Sequence, residues 1–148
     1  MSTLTTRRLD VLTRLAESHT GRAAEAVARS RSGLAEQEMR LGELRRYVEE
    51  YRARPMPGAP ALIANRERFL ARLDEAARQQ VRTVESAAQV VRESTQQWLE
   101  RRAGQRKFDT LHDAAALRES SLAEQQEQKQ MDEFGMRAAA RSPMADPE

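Results

Sequence analysis

The chain has 148 residues, of which 39% are apolar, 4% aromatic and 32% charged; 25 basic side chains stand against 23 acidic ones, and cysteine is absent. This excludes disulfides, thiolate nucleophiles and cysteine metal sites, and leaves too little Leu, Ile and Phe for a globular core of this size. A net charge of only +2 gives no bulk attraction to a polyanion.

Abundant Ala, Arg, Glu, Gln and Leu is the signature of long helix or coiled coil. Disorder is the competing reading, but prolines are confined to two places and strong helix formers fill the rest. No stretch approaches the ~20 apolar residues of a membrane span. Met1-Ser-Thr-Leu-Thr-Thr-Arg-Arg has no apolar run behind its charges, so no secretory signal is expected there.

A first helix is expected over about 5–54. Leu9, Ala16, Ala23, Val27, Leu34, Leu41, Leu44, Val48 and Tyr51 recur at steps of 3, 4 or 7, the seam of a left-handed supercoil. Thr13, Thr20, Ser30 and Gln37 interrupt it, and Gly21, Gly33 and Gly42 weaken it by about 1 kcal/mol each relative to alanine. Such a helix needs a partner along its length.

Pro55-Met-Pro57-Gly58-Ala-Pro60 is the one strong break in the body of the chain. Proline lacks the backbone N–H and clashes inside a helix, so residues 55–61 must be a connection. A second helix is expected over about 62–139, with a tail at 140–148 behind Ser142-Pro143. Its seam runs through Leu70, Leu73, Ala77, Val84, Ala87, Val91 and Trp98. Arg101, Gln105 and His112 then take seam positions among Phe108, Ala115 and Leu122. The fold class expected is all-α, two long helices in one antiparallel coiled-coil hairpin domain.

Pairing outward from the connection sets helix 1 against about 62–112 and places His19 opposite about Gln97. The last 25 or so residues of helix 2 then overhang. Their sequence is polar and has nothing within one chain to pack on, so it is either mobile or docks into another protein.

Chemistry is hard to find here. His19 and His112 fall about 22 Å apart on that pairing, at 1.5 Å per residue. Two histidines without a thiol or carboxylate partner make a poor metal site. No Gly-rich phosphate loop, HExxH or GxSxG occurs, so neither catalytic nor cofactor-binding nor metal-binding residues are expected. Arg45-Arg46, Arg101-Arg102 and Arg106-Lys107 raise a nucleic-acid reading, but acids are interleaved almost everywhere. Contact with other proteins explains them more simply.

The aromatics are more informative. Tyr47, Tyr51 and Phe69, three of six in the chain, flank the same connection. Tyr51 lies on the seam and Tyr47 one residue off it. Exposed Tyr and Phe are favoured anchors of protein interfaces.

Four segments resemble the FliJ family, small coiled-coil proteins of the bacterial flagellar type III export apparatus. They are Leu41-Gly-Glu-Leu44-Arg-Arg-Tyr47-Val-Glu-Glu-Tyr51, Asn65-Arg-Glu-Arg-Phe69-Leu-Ala-Arg-Leu73-Asp-Glu-Ala76-Ala-Arg-Gln-Gln80, Trp98-Leu-Glu-Arg-Arg102 through Leu111, and Glu127-Gln-Lys-Gln-Met-Asp-Glu-Phe-Gly-Met-Arg137. The likeness covers about 7–138.

The resemblance implies a stalk or adaptor like the central stalk of rotary ATPases. Such a protein binds the hexameric export ATPase FliI, promotes its ring assembly, couples it to the export gate protein FlhA and handles flagellar export chaperones. It would work in the cytoplasm, at the inner face of the cell membrane, without inserting in it. The gate-binding surface carries over to Leu44, Tyr47, Tyr51, Phe69, Leu73, Ala76 and Gln80. This chain departs from the family pattern at Arg40, where Gln is frequent, and at Gln80, where His is. An injectisome-type stalk or a generic coiled-coil adaptor is the alternative.

Overall fold

The computed structural model describes residues 3–141. Two helices account for nearly all of them: α1, Leu4–Ala53, and α2, Pro60–Arg141. They pack against each other as a helical hairpin, with no strand among the described residues. Helix α2 continues through Gly135 to Arg141. The expected stop at Ser142-Pro143 and the tail beyond it lie outside the described residues.

The chain divides into two compact units, one spanning Ser18–Arg102 and the other the described parts of Met1–Glu17 and Ala103–Glu148. In the first unit, Val27, Leu41 and Val48 are buried, and Ala23, Leu34, Leu44 and Tyr51 are half-buried. Leu70, Leu73, Ala77, Val84, Ala87, Val91 and Trp98 answer them from α2, all half-buried. A seam between only two helices cannot exclude water completely, and no side chain is fully buried among the described residues.

Two of the seam's polar interruptions in α1, Ser30 and Gln37, meet polar partners on α2. Ser30 Oγ lies 2.8 Å from Ser94 Oγ. The Gln80 amide donates to the Gln37 backbone carbonyl at 3.0 Å and to its side-chain oxygen at 2.9 Å. His19 Nδ1 lies 3.4 Å from an Arg101 guanidinium nitrogen. His19 therefore faces Arg101, one helical turn beyond the expected Gln97. Arg101 itself is exposed rather than seated in the seam: its long stem carries the charge outward.

In the second unit, Ala16 and Thr6 are buried, and Leu9, Thr13, Phe108, His112 and Ala115 are half-buried. His112 Nε2 lies 3.7 Å from an Asp10 carboxylate oxygen. The start of α1 is held by an arrangement from both helices. Thr3 caps the helix, its hydroxyl accepting from the Thr6 amide at 3.3 Å. A capping box would place Glu three residues on to accept the cap's own N–H. Here Glu119 of α2 supplies that carboxylate, accepting from Thr3 N–H at 2.6 Å and from the Thr6 hydroxyl at 2.5 Å. The pairing thus reaches Glu119, seven residues past the expected His112. Residues 120–141 are all exposed. Leu122 keeps the seam's phase but is 59% exposed, because α1 has already begun.

Candidate protein-binding face at the hairpin turn

Within Ser18–Arg102, the turn is built from proline rather than from left-handed glycine: no described residue has a positive φ. Pro60 opens α2, where its missing N–H is no loss. The Leu62 and Ile63 amides both donate to the Ala59 carbonyl at 3.1 Å. Helix α1 stops at Ala53, and the Arg54 amide closes its last turn on the Tyr51 carbonyl at 3.3 Å.

Two arginines tie the helix ends together. Arg52 reaches across to both carboxylate oxygens of Asp74 at 3.0 and 2.9 Å. Arg66 of α2 donates to the Arg52 carbonyl at 2.7 Å, the Arg54 carbonyl at 2.8 Å and the Pro55 carbonyl at 3.3 Å. With Asp74 engaged by Arg52, Arg78 turns instead to Glu75 at 3.0 Å. That pairing holds the Glu75 carboxyl below its usual pKa, chiefly through the Arg78 hydrogen bond and charge.

The three aromatics converge as a result. The Tyr51 and Phe69 rings lie 4.6 Å apart at 58°, and the Tyr47 and Phe69 rings 6.4 Å apart at 82°, edge to face. Both separations fall in the range where ring pairs attract beyond their area burial. Arg54 lies over the Tyr51 ring at 5.0 Å. Tyr47 is 43% exposed while Phe69 and Tyr51 are half-buried, so the cluster presents one tyrosine outward on an aromatic base. Leu44, Leu73 and Ala76 are half-buried on the same pair of helices.

Gln80 stands apart chemically. Its amide N–H donors are engaged by Gln37 inside the hairpin, leaving only its carbonyl oxygen for a partner. Arg66 and Asp74, which shape the turn, carry no periodic apolar signal; only the polar lining of a proline-rich turn could have pointed to them.

Other candidate sites are sparse. Among the described residues no group of three or more His, Cys, Asp or Glu could hold a metal ion. No described helix is long and apolar enough to cross a membrane.

Comparison with known proteins gives one consistent result. The family model described as "Flagellar FliJ protein" matches residues 5–144. A flagellar FliJ protein of Salmonella typhi is 33% identical over 144 residues, covering 91% of this chain and 95% of that protein.

Proposed function

Because this chain belongs to the flagellar FliJ family, and so is a component of flagellum biogenesis and protein export, we propose that it works there as a non-catalytic stalk or adaptor. Its partners are the hexameric export ATPase FliI, the export gate protein FlhA and flagellar export chaperones. Its place is the cytoplasmic face of the membrane at the flagellar base.

The observation that carries this reading is the contrast between two contact surfaces. The turn presents Tyr47 on a packed base of Phe69 and Tyr51, a fixed aromatic anchor of the kind protein interfaces use. Residues 120–141 are helical and exposed throughout, a shaft available to a ring. The first surface, with Leu44, Leu73, Ala76 and the free oxygen of Gln80, is assigned to the gate and the second to the ATPase.

The gate assignment is tested with Tyr47→Ala combined with Phe69→Ala. Helicity by circular dichroism is expected to stay within a few per cent, because alanine favours helix and the aliphatic seam positions such as Val27, Leu41 and Val48 are untouched. Affinity for the gate's cytoplasmic domain is expected to fall by about 30-fold or more, the loss of a 2 kcal/mol anchor. Retained affinity rejects the assignment, and lost helicity makes the rings structural. The ATPase assignment is tested by mixing the chain with the export ATPase of the same organism. Faster ATP turnover with a shift to hexamer in light scattering supports it; no association at micromolar concentration rejects it.

A further inference from the structure

A helix leaves its last four carbonyls without intrahelical partners, and a left-handed glycine after the helix is the usual remedy. Helix α1 has none: no glycine adopts a positive φ, and the chain continues into Arg54-Pro55. The Tyr51 carbonyl is taken by the Arg54 amide. Those of Arg52, Arg54 and Pro55 are all taken by one guanidinium, that of Arg66. One nitrogen serves Arg52 and the other serves Arg54 and Pro55, so the planar fork grips the chain on both sides of the helix end. A positive charge at a helix C-terminus is also favoured by the helix dipole.

This grip bears on the aromatic face through short connections. Arg66 and Phe69 are three residues apart, on one turn and one face of α2. Fixing the Arg54 backbone fixes the root of the guanidinium that lies over Tyr51. Tyr51 in turn packs on Phe69 at 4.6 Å. The cation, the two helix ends and the three rings form one closed circuit.

From this we infer that Arg66 is a positioning residue for the aromatic face, setting the Tyr47–Tyr51–Phe69 geometry that a partner meets, and that it does so by capping α1 from α2. The inference rests on the docking reading above for its partner but not for its geometry. Lysine cannot replace it fully, because a single ammonium does not span the two sides of the fork. Overall stability is not its office: it lies at the exposed turn, away from Val27, Leu41 and Val48.

The test uses the full-length chain as wild type, Arg66→Lys and Arg66→Ala. Three quantities are read: thermal midpoint, amide exchange over residues 50–56 against residues 84–98, and the ring-current-shifted proton signals of Phe69. Arg66→Ala is expected to speed exchange at 50–56 by about tenfold, the loss of charge-assisted bonds to a helix end. It should move the Phe69 signals toward their unstacked positions and leave residues 84–98 unchanged. Arg66→Lys should fall between. Titration with the gate's cytoplasmic domain should show a severalfold loss of affinity in the same order. Unchanged exchange and ring signals in Arg66→Ala overturn the inference, as does a loosened turn that binds the gate with wild-type affinity. A wild-type chain that fails to bind the gate sinks the docking reading alone, and the exchange and ring signals then decide the role of Arg66.

Discussion

The hairpin turn and residues 120–141 are built from similar material and end up in opposite conditions. Both draw on helical segments rich in polar and charged residues and poor in aliphatic side chains. At the turn, side chains reach across: Arg52 to Asp74, Arg66 to three carbonyls, Phe69 to two tyrosines. Along residues 120–141 every side chain is exposed, including Met131, Phe134 and Met136 at 73–75%. The difference lies in the presence of a second helix, not in local propensity. A short helix without one is marginal in water, whatever its composition. The turn is therefore suited to recognition that demands fixed geometry, and the exposed stretch to contact that tolerates adjustment.

The sharpest way to break this contrast is to remove one leucine from each setting. Leu41 is 8% exposed and Leu122 59%. Leu41→Ala is expected to cost about 2–3 kcal/mol in urea unfolding, for lost burial and a partly collapsed cavity. Leu122→Ala is expected to stay within about 0.5 kcal/mol. Equal costs would mean that residues beyond Glu119 are packed in solution, against a second copy or a neighbour.

A smaller effect of opposite sign is expected in the seam itself. Thr13 Oγ1 is buried without a hydrogen-bond partner among the described residues. Thr13→Val keeps the shape and removes the stranded hydroxyl, so unfolding should become harder by about 1 kcal/mol. The hydroxyls of Ser30 and Ser94 provide the contrast: removing either alone costs their cross-helix bond, while the other keeps the Val27 or Val91 carbonyl of its own helix, so a loss of no more than about 1 kcal/mol is expected. A Thr13→Val chain no more stable than wild type would show that water reaches the seam at that point.

What the sequence disclosed follows the same division. The apolar positions at steps of 3 and 4 are the buried and half-buried positions of both helices down to Ala115, because burial is what the period encodes. The aromatic convergence was legible for the same reason, since a proline turn brings its flanks together. The register was less so: His19 meets Arg101 rather than Gln97, and the pairing extends to Glu119. A weakly apolar seam sets no register by itself. It is set by polar pairs such as Ser30 with Ser94 and Gln37 with Gln80, which look like flaws when one helix is read alone. Arg66 and Glu119 were illegible, because each caps a helix to which it does not belong.

Truncation after Glu119 extends the comparison from one residue to the whole exposed stretch. Helical signal should drop by the share of residues 120–141, with the unfolding midpoint shifted by no more than about 2 °C, as for a change well under 1 kcal/mol. ATPase stimulation should disappear while gate binding persists, if the two contact surfaces divide the work as proposed. Loss of both activities together would show that they are one surface.

The smallest expected effect lies where α2 last touches α1. Hydrogen bonds from Thr3 and Thr6 hold the Glu119 carboxyl at about 2, against an ordinary value of 4.5. These donors favour the ionised form, which accepts all of them. The lowered value means that Glu119 contributes its full share above pH 4.5, and that this share is lost progressively as pH falls from about 4.5 toward 2. The first turn of α1 should therefore fray in acid before the seam does, seen as lower protection of the Thr6 and Arg7 amides relative to their intrinsic exchange at each pH, while Val27 and Leu41 stay protected. In Glu119→Gln, protection at Thr6 should already be low at neutral pH and vary little across that window. A carboxyl that titrates near 4.5 in solution would show that Thr3 and Thr6 do not hold it. The start of α1 would then belong with residues 120–141 on the exposed side of the contrast.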